Sequence, residues 1–386
     1  MTNRFYQFRQ DLEQLSQQDL YRSRRVIDGP QSVVLNVNGK SVINFSSNDY
    51  LGLANHPEVV AAFKMAVDQY GVGSGSAHLI CGHSRAHHAL EEELAEFTGR
   101  EKALLFSTGY MANVGVISAV VGRGDYVLED RLNHASLLDG GLLSRAQFSR
   151  FKHADYADLQ AHILNSAGRK LVVSDGVFSM DGDLADLPLL VELVDQYQAG
   201  LLIDDAHGFG VLGKNGGGIV EYFGLTQNQV PILMGTLGKA FGTFGAFVAG
   251  SDELIEWLIQ KARSYVFTTA LPPAVAEATR TSLRLLQTES WRREHLQALI
   301  ARFRLGALQQ GLQLMDSFTP IQPILVGDSQ QVMTISSALL ERGFLLSPIR
   351  PPTVPKGTAR LRVTFSAEHQ YHQVDALLDA LSKVIP

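Results

Sequence analysis

Six short apolar runs, at residues 103–107, 126–128, 171–173, 201–203, 232–234 and 246–249, recur along the chain with helix-like segments between them. The helical pattern covers 87–98, 112–121, 187–198 and 253–261. Runs this short and this uniformly apolar read as strands buried on both faces. Strands that alternate with helices restrict the chain to right-handed crossovers and a mainly parallel sheet covered on both sides. The predicted class is α/β. Several of the runs break into glycine and polar residues at their C-terminal ends, and in open α/β sheets ligands bind beyond those ends.

The character of the chain changes near residue 285. A long Arg-rich helix is predicted at 287–310, followed by a strand at 323–326, a helix at 331–342, a strand at 360–364 and a closing helix at 370–384. Before the alternating region, residues 3–25 read as an amphipathic, charge-rich helix. Residues 33–45 read as a hairpin turning at Asn38-Gly39. The expected organisation is an N-terminal segment (1–45) beside a smaller α+β unit (286–386), with a large ligand-binding domain (46–285) between. Asn215-Gly216-Gly217-Gly218 lies inside that domain and reads as a surface loop.

Bulk properties exclude several function classes. A length of 386 residues suggests about two structural units. The net charge of −6 argues against non-specific nucleic-acid binding. The single Cys81 forms no internal disulfide and supports no thiolate metal site. The first ten residues show no apolar signal region, and no run approaches the roughly 20 apolar residues that cross a bilayer. A cytoplasmic protein without membrane or nucleic-acid partners is expected.

Candidate chemistry gathers at the strand ends. Lys239 follows the run 232–234 and is flanked by Gly235, Gly238, Gly242 and Gly245. Most lysines are solvated surface groups, but the apolar approach and the glycines favour a buried amine with close backbone around it. Asp204 ends the run 201–203, where a carboxylate needs a partner. His207 stands three residues on. A lysine with a carboxylate and an imidazole from a neighbouring strand end suits a Schiff base to pyridoxal 5′-phosphate (PLP), with Asp204 pairing the protonated pyridine nitrogen. Thr236 offers a hydroxyl for a phosphate. The junction at Gly109 and Tyr110 opens a helix, whose N–H groups bind phosphate. His134 follows the run 126–128 and suits ring stacking or acid–base work. Ser179 follows the run 171–173 and suits a ring-oxygen contact. His83, His87 and His88 match no zinc spacing and read as surface and turn histidines, so no metal is expected. The glycine-rich 72–76 lacks the lysine of a nucleotide P-loop.

The combined pattern resembles the α-oxoamine synthases, PLP enzymes of fold type I (aspartate aminotransferase-like). The matching stretches are 44–52, 73–76, 106–113, 133–136, 176–182, 204–208 and 235–239, so the likeness covers nearly the whole chain. It implies that Lys239, His134, Asp204 and His207 are catalytic, and that Gly109, Tyr110, Ser179 and Thr236 help hold the cofactor. It implies a homodimer whose active site lies between subunits, with Thr268 or Thr269 reaching the partner's phosphate. Arg22, Asn48, His134, Thr353 and Arg362 would contact substrates. The segment Ile349-Arg350-Pro351-Pro352-Thr353 through Arg362 is most similar to the branch that condenses L-alanine with pimeloyl-CoA or pimeloyl-acyl carrier protein. Sister branches use glycine with acetyl-CoA or succinyl-CoA, and a non-enzymatic binding protein of the same fold is a further alternative. Many relatives carry an arginine where this chain has Ala77-His78-Leu79. Arg-rich stretches at 291–294 and 302–304 are candidate docking patches for a carrier protein.

Overall fold

A computed structural model describes residues 8–18 and 20–385. Seven strands form the central sheet, in the order Lys102–Phe106, Ala246–Gly250, Ile232–Thr236, Gly200–Asp204, Lys170–Asp175, Tyr126–Asp130, Gln147–Phe151. Ala246–Gly250 runs antiparallel to both of its neighbours, and the other pairings are parallel. The α/β fold with a mainly parallel sheet is therefore as expected. Alternate residues along each strand enter opposite cores. Leu105, Leu128, Val172, Leu201, Ile203, Leu233 and Phe247 join one apolar cluster. Leu104, Phe106, Val127, Leu171, Val173, Leu202 and Met234 join the other, with the helices Gly109–Val120 and Asp252–Lys261. Burial on both faces is why these strands read as unbroken apolar runs.

Parallel pairing brings the strand ends to one edge. Asp130, Asp175 and Asp204 each end a strand, and Asp175 lies beside Asp204 in register. The chain leaves Ile232–Thr236 through a tight loop and returns in Ala246–Gly250. Within that loop Gly242 donates to the Lys239 carbonyl at 2.8 Å and Leu237 donates to the Gly245 carbonyl at 2.9 Å. Gly242 has φ +66°, and a Cβ there would run into the backbone of Leu53 and Ala54. The loop carrying Lys239 is thus seated against the segment at 53–54.

A three-stranded sheet, Ile321–Gly327, Ala359–Thr364 and Ser347–Ile349, carries the helix Ser329–Glu341. The strands Val34–Val37 and Lys40–Asn44 form the expected hairpin through Asn38 (φ 51°) and Gly39 (φ 79°). Phe344–Leu345 adds to it in parallel, so the N-terminal and C-terminal segments share a sheet.

Several expectations need correction. The helix expected at 3–25 is observed as Phe8–Gln17, with residues 3–7 and 19 outside the described residues. The helix expected at 287–310 is two helices, Pro273–Thr288 and Trp291–Gln309, broken at 289–290. The glycine turn is at the surface only in part: Asn215 is exposed and Gly217 half-buried, but Gly216 and Gly218 are buried. Asp205 accepts from the Ile219 N–H at 2.7 Å, and a Cβ on Gly218 would meet that carboxylate. The docking patch at 291–294 also fails. Arg292 and Arg293 are buried and donate to the carbonyls of Leu51 (2.9 Å) and Leu286 (2.7 Å). Among the described residues, no helix is long and apolar enough to cross a membrane.

Gly242→Ala should lower stability by about 1–3 kcal/mol through steric overlap and a forced positive φ. A denaturant midpoint unchanged from wild type would show that the loop is not seated as described.

Candidate active site

One pocket of about 190 Å³ lies beyond the strand ends. Its lining includes Gly109, Tyr110, His134, Ser179, Asp204, His207, Thr236 and Lys239. The eight residues come from five strand ends and the loops after them, and the parallel sheet brings them together. Thr268 and Thr269 lie outside this lining, and Thr269 bridges to Ala77. Asn48 lines a neighbouring cleft with Gly238 and Gly242. Arg22 and Thr353 share a third cleft of about 400 Å³, made by residues 20–25 and 347–353.

Lys239 Nζ lies 2.7 Å from His207 Nε2, and His207 Nδ1 lies 2.6 Å from the Tyr50 hydroxyl. Tyr50 donates to Asn48 Oδ1 at 3.3 Å, and Arg362 Nη2 donates to the same oxygen at 3.2 Å. One donor order satisfies the chain: the amine donates to Nε2, Nδ1–H donates to the phenol oxygen, and the phenol donates to Asn48. Burial pushes the Lys239 amine down to about 8, against the upward pull of Asp204 and Asp175. Burial also holds His207 well below the usual histidine value, helped by the charges of Lys239 and Arg362. The imidazole is therefore neutral and able to accept.

Asp204 Oδ1 accepts from the Ala206 N–H at 3.0 Å and Oδ2 accepts from Asn113 Nδ2 at 2.7 Å. Beside it, burial and the Asp204 charge raise Asp175 well above the carboxylate range. Two adjacent buried carboxyls share one charge more readily than they hold two. The Asp175 side chain accepts from the His134 N–H at 2.9 Å and so anchors the turn that carries His134. His134 Nδ1 accepts from the Ser136 N–H (3.3 Å) and contacts the Ser136 hydroxyl (2.7 Å), which itself accepts from Asn113 Nδ2 (2.9 Å). These bonds place the His134 ring proton on Nε2. Burial lowers the pKa of His134, with Asp204 opposing. Arg362 is buried and donates to Ser179 O (2.7 Å), Thr364 Oγ1 (2.8 Å) and Asn48 Oδ1, all uncharged oxygens.

The sequence reading missed Tyr50, Asn113, Ser136 and Asp175 as site residues. Asp175 carried a signal, a carboxylate ending an apolar run. The others had none beyond lying in the quoted stretches. Of the three histidines read as surface and turn residues, His88 is exposed, but His87 is fully buried.

The residues fit PLP. Thr108 caps the helix Gly109–Val120 through the Met111 N–H at 3.2 Å. The Gly109 and Tyr110 N–H groups have no acceptor among the described residues, so they are open to a phosphate. Asn113 Oδ1 is buried without a hydrogen-bond partner in the same pocket.

Comparison with known proteins agrees. The model of the aminotransferase class I and II family matches residues 40–381. A protein of Thioalkalivibrio sulfidiphilus named 8-amino-7-oxononanoate synthase is 61% identical over 375 residues, 97% of this chain and 96% of that protein. The structure of a serine palmitoyltransferase from S. paucimobilis with bound PLP–myriocin aldimine superposes with TM-score 0.93 at 32% identity, over 100% of this chain and 98% of that one. The structure of 8-amino-7-oxononanoate synthase from Francisella tularensis superposes with TM-score 0.79 at 32% identity, over 89% and 97%. The fold is PLP fold type I, and the cofactor is pyridoxal 5′-phosphate.

Capture of PLP by the apoprotein requires the unprotonated amine. Because the Lys239 pKa is lowered, to about 8, the rate of growth of the yellow absorbance should climb with pH through about 8 and flatten above it. An inflection near the ordinary lysine value of 10.5 would contradict the buried, desolvated amine.

Proposed function

This chain belongs to the aminotransferase class I and II family, and within it we propose the decarboxylative condensation of L-alanine with a pimeloyl thioester. The carrier is CoA or acyl carrier protein. The products are 8-amino-7-oxononanoate, CO2 and the free thiol, a step of biotin biosynthesis. The observation that carries this reading is the convergence of Lys239, Asp204, His134 and His207 on one pocket, in a chain so similar to proteins named for that product. The working unit is a cytoplasmic homodimer, with Thr268 or Thr269 of a second copy completing the phosphate site.

Bound PLP supplies an electron sink for charge developing at the amino acid's α-carbon. The chain's residues do the rest. Lys239 Nζ would hold the cofactor covalently and, once free, would take the α-proton. Its lowered pKa makes a neutral amine available for that transfer near neutral pH. Asp204, fixed by Asn113 and the Ala206 N–H, would keep a proton on the pyridine nitrogen. His207 and Ser179 would hold the ring oxygen, and Gly109, Tyr110 and Thr236 would hold the phosphate. His134 would contact the cofactor ring and offer Nε2–H to the oxygen of the acyl group. Arg362 pairs with the alanine carboxylate through its planar fork, beside Asn48. Arg22 and Thr353, in their shared cleft, receive the acyl chain.

Exchange of the alanine α-proton with solvent needs no acyl donor, which separates the two halves of the site. Asp204→Asn should slow that exchange by about 10²–10³-fold, the scale of one lost electrostatic contact in a transition state. Lys239→Ala should bind PLP reversibly and lose exchange and turnover together; an active Lys239→Ala enzyme contradicts the assignment. Arg22→Ala should leave exchange intact and raise KM for the pimeloyl thioester. Equal damage to both would remove Arg22 from the acyl site.

A further inference from the structure

The helix Arg85–Thr98 and the turn before it carry histidines and a glutamate that this reaction does not use. They fall into two groups. His87 is engaged at both ring nitrogens: Nδ1 accepts from the Ser84 N–H at 3.0 Å and Nε2 donates to the Leu271 carbonyl at 2.6 Å. It ties the helix to the segment at 269–271 and has no lone pair to spare.

His83, His88 and Glu91 are arranged differently. One ligand atom from each lies within 4.8 Å of the other two. His83 Nε2 faces Glu91 Oε2 at 3.8 Å. The remaining atoms of these two side chains are held elsewhere. The second ring nitrogen of His83 is hydrogen-bonded to His78 Nδ1 at 3.0 Å. Glu91 Oε1 accepts from the Leu105 N–H at 3.0 Å. That is how neighbouring groups orient the ligands of a metal ion, one atom inward and the other fixed from behind. His88 is exposed and closes the group from the solvent side, with Glu92 Oε1 3.3 Å from its Nε2. A cleft of about 670 Å³ opens beside all three residues.

We propose that His83, His88 and Glu91 form a binding site for a divalent transition-metal ion of the zinc type, separate from the Lys239 pocket. Two imidazoles and a carboxylate suit Zn²⁺, whose bonds of about 2.0–2.1 Å set ligand atoms roughly 3.4 Å apart in a tetrahedron. Closure from the observed spacing takes side-chain shifts of about 1 Å, and the cleft leaves the fourth position to water. The ion would join the turn containing His83 to the helix, beside the pairing of Ala77 with Thr269. It would thereby stiffen the segment that carries Thr268 and Thr269.

The test is zinc titration of the tag-free, PLP-loaded protein after dialysis against chelator, by calorimetry with a metal count. Wild type should retain a single zinc per chain. His88→Ala and Glu91→Gln should each weaken binding by about 10–100-fold, with the PLP absorbance and circular dichroism unchanged. His56→Ala, a histidine outside the cluster, should bind as wild type does. A wild-type protein that retains no zinc overturns the proposal. So does a His88→Ala/Glu91→Gln double variant that binds zinc as wild type does.

Discussion

Everything at the active site depends on keeping one amine buried without keeping it fully charged. Lys239 sits past the end of a central strand, in a loop seated against the backbone at 53–54. Burial lowers its pKa to about 8, while Asp204 and Asp175 limit the fall. Less burial would leave an ordinary ammonium, with far less free amine near neutral pH to capture an aldehyde. Too many ionised carboxylates would lock the proton on. Burial, together with the charge of Asp204 beside it, raises Asp175 well above the carboxylate range, so the pair holds less than two full negative charges next to the amine.

The same arrangement links the two ends of the substrate site. Hydrogen bonds run from Lys239 through His207 and Tyr50 to Asn48, where they meet Arg362. The group proposed to grip the carboxylate is therefore connected to the group proposed to move the α-proton. Asn113 makes a similar connection, bonding both Asp204 and the serine that orients His134. Neither link involves residues adjacent in sequence.

That explains what was legible in the chain. Lys239, Asp204 and His134 stood out because each follows an apolar run that breaks into polar residues, and strands buried on both faces produce such runs. The strand Gln147–Phe151 was missed because it lies at the sheet edge and is only partly buried. The helices Pro57–Tyr70, Ala135–Leu143 and Tyr156–Leu164 were not singled out either. Asn113 sits inside an apolar helix, where its pattern is that of a core position. Tyr50 is fully buried, and only the fold brings it to His207. The arginines at 292–293 misled for the opposite reason: their charge suggested a surface, but both bond backbone carbonyls in the interior.

The most direct test is thiol release by the PLP-loaded protein across a matrix of amino acids and acyl-CoA donors. L-alanine, glycine and L-serine would each be paired with acetyl, succinyl, pimeloyl and palmitoyl thioesters. Release is expected to be confined to L-alanine with pimeloyl-CoA, with 8-amino-7-oxononanoate found by mass. A best rate with glycine and a short acyl group, or with L-serine and palmitoyl-CoA, would contradict it and assign Arg22, Thr353 and Arg362 to another substrate pair.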